Sequence, residues 1–319
     1  MENNKAQDFT NDLSNWMGNL PSELRDMPII HLAIPGTHDS MTYGINRKSE
    51  ASPDADPNIK KLSIFCHSTV RRWAITQEYD INEQLHQGIR YFDFRIATKK
   101  PSSDFYFVHG LYADEVSNNL VKLREFLDSH PGEVVIIDCQ HFYEFSQNDH
   151  FLFSNMLYEA FTFRISPNSG SIKNCSLSAL NQRREQLIII YRGMTGHKYF
   201  WPTYVWNNPW PDEITIPGLL TKLKYGLQMR DPDIGYVSQC LLTPTPKFIA
   251  LRWHSNLKNK CAKPVAKNLF PWIEQLVPGR PNGDDLHVNV ILADFVEIDE
   301  SDFSKMVVGL NKKILKSLK

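Results

Sequence analysis

The chain reads as an α/β protein whose strands are buried on both faces. Three observations lead there. Short β-rich apolar runs recur along the sequence, helix-length amphipathic stretches lie between several of them, and polar residues suited to chemistry stand at the ends of the runs. Continuous apolar runs are the signature of strands in a parallel sheet, and strand–helix alternation belongs to a barrel or a doubly wound sheet. Periodicity alone does not choose between those two.

The runs are Ile29–Ile34, Tyr91–Ile96, Phe105–Val108, Val134–Asp138, Leu187–Tyr191, Gln239–Leu242 and Val288–Ala293. Between them, Asn118–Ser129 spaces Leu120, Leu123 and Leu127 along one helix face, and Pro264–Leu276 and Asp302–Ser317 have the same character. The polar segment Arg47–Lys61 reads as a loop inserted within the domain. The polar residues at run ends are Gly36-Thr37-His38-Asp39, Arg95, His109, Gln140, Arg192 and Asp294. In a barrel of alternating strands and helices these positions converge on one face.

Composition narrows the class. The 319 residues are 42% hydrophobic and 22% charged, as in ordinary globular proteins, and the net charge of -1 excludes nucleic-acid binding through a global basic field. Five scattered cysteines without a CxxC pair point to free thiols rather than a disulfide framework or a zinc site. The polar N-terminus lacks the profile of a secretory signal, and no apolar run approaches the length of a transmembrane span. These features point to a soluble, cytoplasmic protein.

Three segments carry chemistry. In HLAIPGTHDS (31–40) an apolar run ends at Pro35-Gly36, and the glycine permits a tight turn that sets His38 just past a strand end. In GIRYFDFRI (88–96), Asp93 and Arg95 are two apart on a strand and share one face, as a structural ion pair or as part of a site. In FYFVHG (105–110), His109 closes a strand before Gly110. Each histidine taken singly is most often a polar loop residue.

Taken together, IPGTHDS, RYFDFRI and FVHG, supported by VVIIDCQ, LIIIYRG and VILADF, resemble the X domain of phosphatidylinositol-specific phospholipases C, in particular the eukaryotic proteins that carry this domain by itself. The resemblance runs from about Ile29 to the strand holding Asp294. It implies a TIM-type (β/α)8 barrel, irregular or incompletely closed, with residues 1–28 as an N-terminal extension and 29–319 as a single catalytic barrel.

The same resemblance implies roles. His38 matches the base that activates the inositol 2-hydroxyl, Asp294 the carboxylate that orients it, and His109 the acid that protonates the leaving glycerol oxygen, with Asp39 in support. Arg95 matches the arginine of the bacterial enzymes that stabilises the phosphate, with Asp93 holding Arg95 or the second histidine. The large signalling phospholipases C place an acidic calcium ligand where Arg95 stands here, and a guanidinium repels calcium, so the resemblance implies a site without metal or other cofactor. Gln140 departs from the lysine of the bacterial pattern. Arg192 matches an arginine that contacts the inositol hydroxyls, or else pairs with a carboxylate.

The partner so implied is a phospholipid at a membrane surface. The aromatic stretch 199–211 (YFWPTYVWNNPWP) either packs on the domain or meets a sugar ring or lipid interface. The basic piece NKKILKSLK reads as a solvated helix end. Two other readings stand beside this one. A barrel phosphodiesterase acting on another phospholipid would want a metal held by several carboxylates. A lipid-binding or regulatory protein would retain the site without its turnover.

Overall fold

In the computed structural model, residues 8–55, 57–194, 197–281, 285–298 and 302–317 are described, with the side chains of 58–65 set aside. The start of the N-terminal segment, Asp56 of the 47–61 segment and the last two residues of the basic C-terminal piece lie outside them.

Among the described residues eleven strands form the β-structure: β1 (Ile34–Thr37), β2 (Tyr91–Thr98), β3 (Phe105–Val108), β4 (Tyr112–Glu115), β5 (Val135–Tyr143), β6 (Leu187–Tyr191), β7 (Trp206–Asn207), β8 (Gly235–Cys240), β9 (Val277–Pro278), β10 (His287–Val288) and β11 (Val290–Ala293). Seven are parallel neighbours in the order β7-β8-β11-β1-β2-β5-β6, and β3 and β4 extend the far end of β2 as antiparallel strands. Among the described residues β6 and β7 do not pair, so hydrogen bonds do not close the ring. The fold is a TIM-type barrel with an open seam.

The strand period of two explains the layering. On β2, Phe92, Phe94 and Ile96 join the apolar layer shared with the helices, while Tyr91 joins a second cluster with Ile34, Ile136, Ile188, Ile190, Val237, Val290 and Leu292. This second set is the interior row. Continued toward the strand ends, the same parity reads Asp93 and Arg95 on β2, Asp138 on β5, Arg192 after β6, Gln239 on β8, Asp294 after β11 and His38 after β1. Each strand is thus apolar inside at its start and polar inside at its end.

Residues 9–24 contribute to that interior. Phe9, Trp16, Met17, Leu20 and Leu24 are buried in the second cluster. The Trp16 indole N–H donates to Gly88 O at 2.9 Å, and the fully buried Arg90–Glu133 pair (2.7 Å) holds the same segment. Arg90 donates to Leu13 O and Ser14 O, and Glu133 accepts from the backbone N–H groups of Met17 and Gly18.

Several elements differ from the sequence reading. Ile29–Ile34 is not one strand: Ile29–His31 is a 3-10 turn and β1 begins at Ile34. Two buried asparagines satisfy the backbone there in place of a ladder. Asn289 donates to Ile29 O and Leu32 O, and Asn311 pairs with both the N–H and the C=O of Ala33. Asn311 also divides the expected helix 302–317 into Asp302–Leu310 and Lys312–Ser317. The segment read as a loop to Lys61 becomes helical at Pro57, whose fixed φ suits a helix start, and that helix runs to Ala74 with a break at Cys66. The run expected at Gln239–Leu242 is β8, ending at Cys240.

Candidate active site

Asp39 is the centre of the site. It follows β1 with φ of 42°, a left-handed conformation that aspartate tolerates better than most residues. That turn breaks the strand alternation, so the consecutive side chains of His38 and Asp39 reach the same space. Asp39 Oδ2 lies 3.2 Å from Nε2 of His38 and 3.3 Å from Nε2 of His109, and Oδ1 lies 2.5 Å from Nε of Arg95. One fully buried carboxylate therefore touches both imidazoles and the guanidinium. The two rings stand edge to face with centroids 6.1 Å apart.

The histidine tautomers follow from their partners. Nδ1 of His38 is 2.8 Å from Asp294 Oδ1, and an ionised carboxylate only accepts, so Nδ1 carries the proton. Nε2 then faces Arg95 Nη2 at 3.0 Å, where a neutral ring accepts, and Asp39 Oδ2, to which a charged ring donates. Nδ1 of His109 donates to the carbonyl of Ala74 at 2.7 Å, which turns Nε2 toward Asp39. Burial pulls the His38 pKa down, but Asp39 and Asp294 overcome it and leave it above the usual imidazole value. Burial likewise opposes ionisation of Asp39, yet Arg95, His109 and His38 hold its carboxyl below the ordinary range.

A short segment holds both histidines in place. Ala74 receives the His109 proton, Thr76 Oγ1 and Gln77 Nε2 both donate to His38 O, and Gln77 also donates to Ala293 O. Nothing in the sequence pattern marked this segment, because its contacts are to backbone carbonyls.

Asp93 sits on β2 with Arg95, as its parity requires. Its Oδ2 is 3.6 Å from Arg95 Nη2 and accepts from the Asp39 backbone N–H at 3.3 Å, and no contact with His109 is made among the described residues. Burial foremost, with Asp39 beside it, pushes the Asp93 carboxyl up against the opposing pull of Arg95. His38, Asp39 and Asp93 could offer three donor atoms to a cation. Arg95 occupies the middle of that set, within 2.5, 3.0 and 3.6 Å of the three, so the donor set does not fit a divalent ion.

Arg192 and Gln140 are spent elsewhere. Arg192 grips Asp138 with Nε at 2.7 Å and Nη2 at 2.8 Å, and Gln140 Nε2 donates to the same carboxylate at 2.9 Å. Asp138, fully buried, also accepts from the Tyr91 hydroxyl. Gln140 is the extra residue of a bulge, since Cys139 pairs with Phe94 and His141 with Arg95. The bulge resets the alternation, and burial, with Arg95 beside it, holds His141 below its usual value. Asp138 shares the interior parity of Asp93 and was open to the same reading. From the aromatic stretch, Phe200, Trp201 and Trp206 are buried, while Trp210 covers the site, its ring 5.9 Å from that of His38 and under the Arg95 guanidinium at 5.2 Å.

A cleft of about 430 Å3 opens beside His38, His109 and Asp294. No helix among the described residues is long and apolar enough to cross a membrane.

No family model matches the chain. It is 32% identical over 305 residues to PI-PLC X domain-containing protein 2 of Mus musculus, covering 93% of this chain and 87% of that one. It is 31% identical to PI-PLC X domain-containing protein 3 of Danio rerio, with 93% of each covered, and 31% identical to PI-PLC X domain-containing protein 1 of Homo sapiens over 94% and 93%. Among solved structures, a variant of the phosphatidylinositol-specific phospholipase C of Staphylococcus aureus superposes with a TM-score of 0.65 at 15% identity (94% and 98% covered). The corresponding enzyme of Listeria monocytogenes gives 0.59 at 18% (94% and 99%). At those identities the likeness concerns the fold.

Proposed function

The chain belongs to the family of PI-PLC X domain-containing proteins, and on that premise we propose that it cleaves phosphatidylinositol-type lipids by histidine acid–base catalysis without a metal. The observation that carries the reading is the sharing of Asp39 by His38, His109 and Arg95. Nε2 of neutral His38 takes the proton of the inositol 2-hydroxyl. The freed oxygen attacks phosphorus, and the bond from phosphorus to the glycerol oxygen breaks. His109, protonated at Nε2, gives its proton to that oxygen, leaving diacylglycerol and an inositol cyclic phosphate. Arg95 meets the charge on the phosphate oxygens, Asp294 fixes the His38 tautomer, and Asp93 keeps Arg95 and Asp39 in register. Arg192 and Gln140 would bind the headgroup only by loosening from Asp138, which favours a second reading of lipid binding with little turnover.

The test is release of water-soluble inositol phosphate from mixed micelles of phosphatidylinositol, with EDTA or with calcium, beside His38→Ala. Release that survives EDTA and falls by about 100- to 10,000-fold in the variant is the expected result. Release only with calcium would overturn the role of Arg95, and no release from folded protein would favour the binding reading.

A further inference from the structure

The cleft beside the histidines is not the space an inositol ring needs. Its polar end is His38, His109 and Asp294, but away from them the walls are Val70, Trp73, Leu242, Ile249, Trp253 and Leu257. These come from the helix ending at Ala74, the stretch after β8, the short helix Pro246–Ala250 and the turn that follows it. The walls grade from exposed Trp253 (63% accessible) to buried Trp73, Leu242 and Leu257. Such a grade is that of a slot with a mouth.

An apolar slot whose polar end is the histidine pair suits a ligand that is mostly hydrocarbon and carries its polar group at one end.

We propose that this cleft binds the glycerol moiety and the start of an acyl chain of a membrane glycerolipid. The assignment rests on the phosphodiesterase reading, in which His109 faces the leaving glycerol, and His109 lies at the head of the slot. Trp73 immediately precedes Ala74, whose carbonyl fixes His109. Occupancy of the slot and aim of the acid are therefore joined through one peptide unit. The substrate is then held by its tail within the protein as well as by its headgroup.

Titration calorimetry with monomeric dihexanoylglycerol tests this without requiring turnover. The intact protein and His38→Ala should both bind. Ile249→Trp, which fills the slot, should bind at least about tenfold more weakly. In turnover, the ratio of rates on dihexanoyl phosphatidylinositol and on chainless glycerophosphoinositol should fall in Ile249→Trp. Absence of binding by the intact protein, or equal binding by folded Ile249→Trp, would overturn the proposal. Binding lost in Ile249→Trp from a protein that cleaves no phosphatidylinositol would sustain the lipid slot and overturn the phosphodiesterase reading.

Discussion

Nε2 of His38 lies 3.0 Å from Nη2 of Arg95, a contact in which the guanidinium donates to the lone pair that a general base must use. The same nitrogen is 3.2 Å from Asp39 Oδ2, so protonation of His38 exchanges one partner for the other without moving the ring. In the proposed mechanism the base and the phosphate-binding cation are thus held together before substrate arrives, and a phosphate that draws Arg95 away would free the base.

The pH profile should register this arrangement. In the proposed mechanism His38 acts deprotonated, and Asp39 with Asp294 raises its pKa above the usual imidazole value despite burial. The rising limb of kcat/KM against pH in the free enzyme is therefore expected above that of an unperturbed imidazole. Asp294→Asn removes one raising carboxylate and should move the limb to lower pH while reducing the plateau. A limb unmoved by the substitution would exclude His38 as its source.

Stability should follow the same linkage. A group whose pKa is raised on folding adds stability that is complete below its unfolded value and disappears as pH rises through the folded one. The contribution of charged His38 is thus present at pH 5.5 and lost at alkaline pH. Denaturant unfolding of the intact protein and His38→Gln should show a difference at pH 5.5 that shrinks by pH 9. A difference that widens with pH contradicts the assignment of charge to the folded ring.

Arg95 is expected to be what keeps divalent ions out. Arg95→Asp removes the cation between His38, Asp39 and Asp93 and adds an oxygen donor beside them. Its Tm should rise on addition of calcium, by the equivalent of about 2.7 kcal/mol at a hundredfold excess over Kd, whereas the intact protein should not respond. Equal responses in thermal scans would remove the argument from Arg95.

The N-terminal segment should be inseparable from barrel stability. Arg90 and Glu133 are both fully buried and jointly bind five backbone groups between Leu13 and Gly18 or at Leu85, so Glu133→Ala strands a buried guanidinium. A loss of about 3–5 kcal/mol in urea unfolding is expected. A loss under about 1 kcal/mol, the scale of an exposed pair, would mean that the segment is only loosely attached.

Local chemistry of the chain settled much of this. Apolar runs located most of the interior strands, strand parity set Asp93 beside Arg95, and His38 falls just past the run it follows, although Gly36 lies within β1 and the turn expected of it comes at Asp39. Those features depend on backbone geometry that repeats every two residues, so they can be read without contacts. Parity would have pointed to Asp138 as well. Tertiary structure alone decided the rest. The backbone from Ile29 to Ala33, including the 3-10 turn at Ile29–His31, is satisfied by Asn289 and Asn311, more than 250 residues away in sequence. Arg192, which follows β6, and Gln140 on β5 both end on Asp138, a meeting of neighbouring strands that sequence spacing does not fix. The Trp73–Gln77 segment holds the histidines through carbonyl oxygens, which every residue possesses and no sequence pattern distinguishes.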